Sequence, residues 1–329
     1  MAGHSGRKAI IAALVANAGI AVAKLVAFLA TGAASMLAES IHSVADSSNQ
    51  GLLLLGRSRS QRKASPEHPF GHARERYFWS FVVAIVLFTL GGVFSIFEGY
   101  EKLRHPEHLG SITWAVTVLV VAIVLETFSL RTAVRESAVA KGQQSWWSFI
   151  RTAKTPELPV VLLEDIGALL GLVFALVGLG LADLTGNSRF DALGSVVIGV
   201  LLAGIGLLLA VEMKSLLIGE SASPVDEGAI REALGKSPHV RQVIELRSQH
   251  LGPDELMVAA KVELDADLSF RDVARVIDDA EARVRERLPA AIHLYVEPDL
   301  PALPDGSSRP TEPASSPPRP SPSSSSSSS

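Results

Sequence analysis

Apolar residues dominate six stretches of the chain, at 9–30, 33–55, 77–99, 112–130, 158–181 and 192–211. A bilayer core about 30 Å thick needs roughly 20 helical residues to cross it. Each stretch reaches or approaches that length, and positions 77–97 and 192–211 hold no charged residue. The pattern predicts a membrane-embedded, all-α bundle of six helices. The first stretch has no small-residue cleavage site, and its apolar run is too long for a signal peptide. It is expected to remain as a span. An even number of spans puts both termini on one side, and lysine and arginine identify that side. Arg7 and Lys8 precede the first span. Arg57, Arg59, Arg62, Lys63, Arg74 and Arg76 lie between the second and third, and Arg131, Arg135, Lys141, Arg151 and Lys154 follow the fourth. The opposite loops offer only Lys102, Arg104 and Arg189. Cytoplasmic termini are expected.

Beyond Glu212 the period changes. Ser223-Pro224 reads as an N-cap with proline at the first helical position, opening a helix that ends near Gly235. Strands are predicted at 240–249 and 255–264. In the second, Val258, Ala260, Val262 and Leu264 alternate with Ala259, Lys261 and Glu263, which gives one buried face. Ser269 caps a second helix with an apolar stripe of Phe270, Val273, Ile277, Ala280, Val284 and Leu288, and a last strand is predicted at 291–297. The order αββαβ predicts a small α+β domain, ferredoxin-like, with helices layered on a sheet. After residue 300 the chain is mostly proline and serine, a composition that cannot bury apolar surface and is expected to be disordered. The expected division is 1–218 for the membrane domain, 219–300 for the cytoplasmic domain and 301–329 for the tail.

Composition agrees with a membrane protein and narrows the chemistry. Hydrophobic residues are 48% and charged residues 19% of the 329, and mean hydropathy is +0.30. Soluble chains are nearer one quarter charged. With no cysteine, disulfides, thiolate zinc sites, iron–sulfur clusters and cysteine nucleophiles are excluded. The net charge of −4 supplies no basic field for nucleic acid. Residues 224–300 carry 10 basic and 16 acidic side chains, a net −6, which suits either a domain that meets divalent cations or a merely solvated surface.

Ionisable residues within spans are costly, so each is a candidate for function. In the second span Glu39, His42, Ser43, Asp46, Asn49 and Gln50 recur at three- and four-residue spacing and line one helix face. His42 and Asp46, four apart, can reach one ion. Nitrogen and oxygen at that spacing suit zinc and tolerate other first-row divalent metals. The bland alternative is a polar stripe holding the bundle together. In the fifth span Glu164 and Asp165 are adjacent and point about 100° apart. Two desolvated carboxylates at this depth require a cation, a proton or a basic partner. Asp165 is assigned to the metal, while Glu164 either joins it or pairs with a cytoplasmic lysine or arginine. Lys24 and Glu126 read as structural, with Arg131 or Arg135 the expected partner of Glu126, and Asn17 reads as a supporting group. His68 and His72, four apart in the loop before the third span, form a possible second metal site on the cytoplasmic side.

At these residues the sequence resembles the cation diffusion facilitator family of divalent-metal transporters. The resemblance rests on Ala38-Glu39-Ser40-Ile41-His42-Ser43-Val44-Ala45-Asp46, on Phe70-Gly71-His72, on Asp165 and on Asp191. It extends over residues 7–300. It implies a transport site of two pairs, one on the second span and one on the fifth. His42 and Asp46 carry over, but the fifth-span histidine falls on Val161. The run Leu158-Pro159-Val160-Val161-Leu162-Leu163-Glu164-Asp165 resembles the subgroup of the mitochondrial-type zinc transporter. The resemblance also implies a homodimer joined through the cytoplasmic domain, whose extra metal ligands are doubtful because Ile244 and Tyr295 stand where such ligands are expected. The expected function is secondary active export of a divalent cation, zinc first, against protons and by alternating access. A manganese, iron or cobalt exporter is the alternative, since losing an imidazole hardens the site. A degenerate transporter serving as a metal-binding scaffold is a third reading. An enzyme is not expected: no His-Glu-x-x-His run occurs. No resident cofactor is expected, and the expected partners are the metal, protons, membrane lipid and a second copy. The expected location is a bacterial inner membrane.

Overall fold

The computed structural model describes residues 5–31, 34–105 and 112–300, and within these the side chains other than those of 5, 6, 27, 28, 30, 31, 34–42, 45 and 292. The side chains of Glu39 and His42 and the proline–serine tail therefore lie outside the described residues. Helix α1 (Ser5–Thr31) packs against α2 (Ala34–Ser60), and α2 against α3 (Glu75–Val86). A π-helical segment (Leu87–Val93) carries α3 directly into α4 (Phe94–Arg104), so that Glu75–Arg104 is one helical path of 30 residues. α5 (Ile112–Lys141) is followed by the short α6 (Trp146–Thr152), then α7 (Glu157–Thr185) and α8 (Arg189–Ile218). The α3–α4 path lies on α8, α8 on α7, α7 on α5 and α5 on α1, which closes a ring.

Five helical paths among the described residues are long and apolar enough to cross a membrane: Arg7–Val26, Glu75–Arg104, Ile112–Lys141, Glu157–Thr185 and Arg189–Ile218. α2, predicted as the sixth, has the same 27-residue length as α1. Its mean hydropathy is lower because one face carries serines, acids and amides. It still occupies its place in the ring, between α1 and α3. Glycine lets the α8 backbone touch α4 and the π-helical segment before it: a Cβ added at Gly199 would lie 2.6 Å from the Ile96 nitrogen, and one at Gly92 would lie 2.7 Å from the Ala203 Cα. Between membrane helices, where no hydrophobic force operates, such close approach supplies the packing energy.

Two differences from the sequence expectation have local causes. α5 runs eleven residues past the predicted span end at 130, and it stops where Gly142 takes a left-handed φ of 57°. α6 was not expected. Ser145 caps it by accepting from the Ser148 N–H at 3.1 Å, and its Trp146 and Trp147 are exposed. Lys141 and Arg151 lie over those two rings, respectively. Exposed tryptophans beside basic residues are the side chains that settle at a membrane–water interface.

The second domain follows its predicted order. Ser223 caps α9 (Pro224–Gly235) and Ser269 caps α10 (Phe270–Arg287), each hydroxyl accepting from the backbone N–H three residues on. Strand β1 (Val240–Gly252) pairs antiparallel with β2 (Glu255–Leu264), which pairs parallel with β3 (Ala291–Pro298). The order is β1-β2-β3. Val258, Ala260, Val262 and Leu264 are buried as the alternation predicts. Ile230 and Leu234 of α9 and Ala280 and Val284 of α10 cover that face. Phe270 corrects the predicted stripe: it is 90% exposed. It stands first after the cap, before α10 reaches the sheet, and Val276 is the buried residue one turn before Ala280.

The α2–α3 loop with the first turn of α3, and the α6–α7 link with the first residue of α7, tie the two domains together. Buried Arg76 donates through Nε and Nη2 to the two oxygens of buried Glu157, at 2.5 and 2.8 Å. Its Nη1 lies 3.6 Å from Asp254, on the β1–β2 turn. Lys154 pairs with Glu220, and Phe70 sets its ring edge-on to His293 with centroids 5.2 Å apart.

Candidate functional site

The polar face predicted on α2 meets polar groups from three other helices inside the apolar ring. From α1, Asn17 Nδ2 donates to Gln50 Oε1 at 3.3 Å. From α2, Asn49 Nδ2 donates to Glu164 Oε1 at 3.1 Å. From α5, Ser129 Oγ donates to Asp165 Oδ2 at 2.8 Å. Asn49, Gln50, Ser129, Glu164 and Asp165 are all buried, and Asp46 is half-buried on the same face of α2.

The adjacent carboxylates of α7 thus separate as their 100° offset requires. Glu164 turns to α2 and Asp165 to α5. Glu164 accepts from an amide, so the expected alternative of a cytoplasmic lysine or arginine partner is replaced by Asn49. Its Oε2, the Asn49 Oδ1 and the Gln50 Nε2 are buried and without a hydrogen-bond partner among the described residues. Buried polar atoms left in that state are costly, and they mark the place where a bound cation or a proton can satisfy oxygen donors. Val161, one turn before Asp165, is fully buried among apolar side chains and offers no donor. Among the described residues no three histidine or carboxylate side chains converge closely enough to hold an ion. His42 stands four residues before Asp46 on the continuous helix α2.

Sequence reasoning misjudged one residue here and overlooked another. Ser129 was not singled out, and Glu126 was expected to pair with Arg131 or Arg135. Both arginines are exposed. Glu126 is 4% exposed, and the charges acting on it are Asp165, Asp46 and Lys24. A legible signal existed: Val118, Ala122, Glu126, Ser129, Ala133 and Ser137, spaced by three and four, form the buried stripe of α5, whereas 131 and 135 lie off it.

In the loop before α3 the structure brings His68 and His72 together, with ring centroids 4.4 Å apart and Arg59, Arg74 and Glu75 around them. His250 is buried beside Gly252, whose carbonyl accepts from its Nδ1 at 3.4 Å. Burial and the nearby Lys154 ammonium hold its pKa below the ordinary imidazole value. Glu297 is near Lys261, at 3.8 Å.

A ring of long apolar helices with a buried polar seam, followed by a small α+β domain, is the architecture of a multi-pass membrane transport protein. Comparison with known proteins makes this specific. Residues 10–218 match the cation efflux transmembrane domain, and residues 222–299 match the cation efflux protein cytoplasmic domain. The chain belongs to the cation efflux family, the cation diffusion facilitators, whose members are transporters and not enzymes. It is 36% identical over 261 residues to the proton-coupled zinc antiporter SLC30A9, mitochondrial, of Xenopus laevis, a match that covers 78% of this chain and 46% of the frog protein. The human protein of the same name is 34% identical with the same coverage. The magnetosome protein MamB of a Magnetospira strain is 25% identical over 86% of this chain and 92% of its own. The chain spans about half the length of the antiporters it matches.

Proposed function

We propose that the chain exports a divalent cation from the cytoplasm, zinc first, in exchange for protons. The observation that carries this reading is the meeting of Asn49 of α2, Ser129 of α5 and Glu164 and Asp165 of α7 inside an apolar ring, with Asp46 half-buried on the same face of α2 as Asn49. His42, Asp46 and Asp165 coordinate the cation, and Glu164 or a water completes four ligands. Ser129 orients Asp165, and Asn49 holds Glu164 until the ion arrives. Neutral imidazole and ionised carboxylates bind metal, while their protonated forms do not. Proton entry from the outer side therefore releases the metal outward, and loss of protons inside restores the site. Rocking of helices around a fixed central site turns that chemistry into alternating access. The name of the frog and human relatives, a proton-coupled zinc antiporter, supports the same reading. The cytoplasmic domain pairs two copies, and the membrane is the inner membrane of a bacterium.

Donor chemistry favours a second choice of cargo. With Val161 where a nitrogen donor would complete α7, the site is mostly oxygen, which moves preference toward manganese, iron or cobalt. His68 and His72 offer a separate cytoplasmic nitrogen pair. The test is flux in proteoliposomes that contain the purified chain and an entrapped metal dye. An imposed proton gradient should drive metal against its own gradient, and reversing the proton gradient should reverse the flux. His42→Ala and Asp46→Ala should abolish both movements in folded protein. Metal flux indifferent to the proton gradient would refute exchange, and full transport by both variants would refute the site.

A further inference from the structure

We propose that Glu126 is a carboxylate of the transport site, delivered to the cation by α5 as a third ligand-bearing helix. The inference rests on the reading of the site given above and extends it to a helix that reading does not use. Glu126 is 4% exposed and lies on the stripe of α5 that faces the other helices. Ser129, less than one turn further on, already bonds Asp165 at 2.8 Å. Glu126 therefore stands on the face of α5 that meets the site. The charges that reach it are Asp165 from α7, Asp46 from α2 and Lys24 from α1. Glu164, also buried, feels Asp165, Asp46 and Glu126. Its Oε2 has no hydrogen-bond partner among the described residues.

Among the described residues, four carboxylates from three helices thus share one field with a single lysine. Charges inside a membrane protein persist when they are paired or when they serve an ion pathway. One lysine leaves an excess of negative charge that a divalent cation offsets. Carboxylate is a hard donor, and each one added raises the relative affinity for manganese over zinc. The same oxygen would complete a coordination shell to which α7 brings no nitrogen. Among the described residues no three of these donors converge in the present conformation. The competing role for Glu126 is to neutralise Lys24.

Equilibrium binding of Zn2+ and Mn2+ by the full chain in nanodiscs, measured by competition with a fluorescent chelator, separates these roles. Glu126→Gln should weaken binding at least about tenfold, with a larger loss for Mn2+ than for Zn2+. Lys24→Met alone should leave binding intact, and adding it to Glu126→Gln should not restore affinity. Wild-type binding by Glu126→Gln, while Asp165→Ala binds nothing, would overturn the proposal and leave the site reading standing. Wild-type binding by Asp165→Ala as well would overturn both. Restoration by Lys24→Met would show that Glu126 only balances that lysine, and would overturn the proposal too. Should Glu126→Gln fail to fold, Glu126→Asp keeps the charge but shortens its reach. It should shift the Zn2+ to Mn2+ preference, and an unchanged preference would count against a ligand role.

Discussion

Removing one member of the Arg76–Glu157 pair should cost far more than removing both. The guanidinium makes two hydrogen bonds to the carboxylate, at 2.5 and 2.8 Å, with the side chains 7% and 1% exposed. A buried pair broken on one side leaves an uncompensated charge and costs about 3–5 kcal/mol, while matched apolar replacement is often neutral. The two single changes should also differ. Glu157→Gln strands Arg76 with only Asp254, which is 59% exposed and 3.6 Å away, beside the like charge of Arg57. Arg76→Met leaves Glu157 in the field of Arg57. Glu157→Gln is therefore the worse change, and it should lower the melting temperature in detergent by about 10 °C. Arg76→Met should lower it less, and the double replacement Arg76→Met with Glu157→Leu should melt near wild type. Asp254→Asn should be nearly silent, because an exposed partner is screened. A double variant as unstable as Glu157→Gln, or a silent Glu157→Gln, would refute the claim that this pair carries its charges buried.

Gly199→Val would push a side chain to within 2.6 Å of the Ile96 nitrogen; it should force α4 away from α8 and reduce the yield of folded protein, whereas Gly180→Ala, with open space around its Cβ position, should not. Burial holds His250 below the ordinary imidazole pKa, so folding favours its neutral form. That preference costs nothing above the unfolded value of about 6.5, and stability falls as pH drops from there through the lower folded value. The protection of β1 and β2 in the full chain, after correction for the intrinsic exchange rate at each pH, should fall as the pH drops below about 6.5, and His250→Phe should flatten that response. Unchanged slopes would remove His250 as its source.

The secondary structure was legible because its causes are local. Ser223 and Ser269 as caps, the alternation of β2 and the apolar runs of α1, α3, α5, α7 and α8 each act within a few residues. The polar face of α2 was legible from spacing, and the divergence of Glu164 and Asp165 from their adjacency. What escaped was pairing across distance. Arg76 finds Glu157 over 81 positions and Asn49 finds Glu164 over 115, and no period in the chain encodes either. Glu126 escaped for another reason: Arg131 and Arg135 are near in sequence, but helical phase puts the glutamate on the buried stripe and leaves them exposed. α6 escaped because seven residues with two tryptophans resemble a loop until Ser145 is placed as a cap.

The most direct test of the account is simultaneous metal and proton flux in proteoliposomes loaded with both dyes, with Zn2+, Mn2+, Fe2+ and Co2+ offered in turn to wild type and to Asp165→Ala. Metal should enter with opposite proton movement, fastest for zinc, and the variant should show neither movement. Tight metal binding without entry, or equal flux in Asp165→Ala, would contradict it.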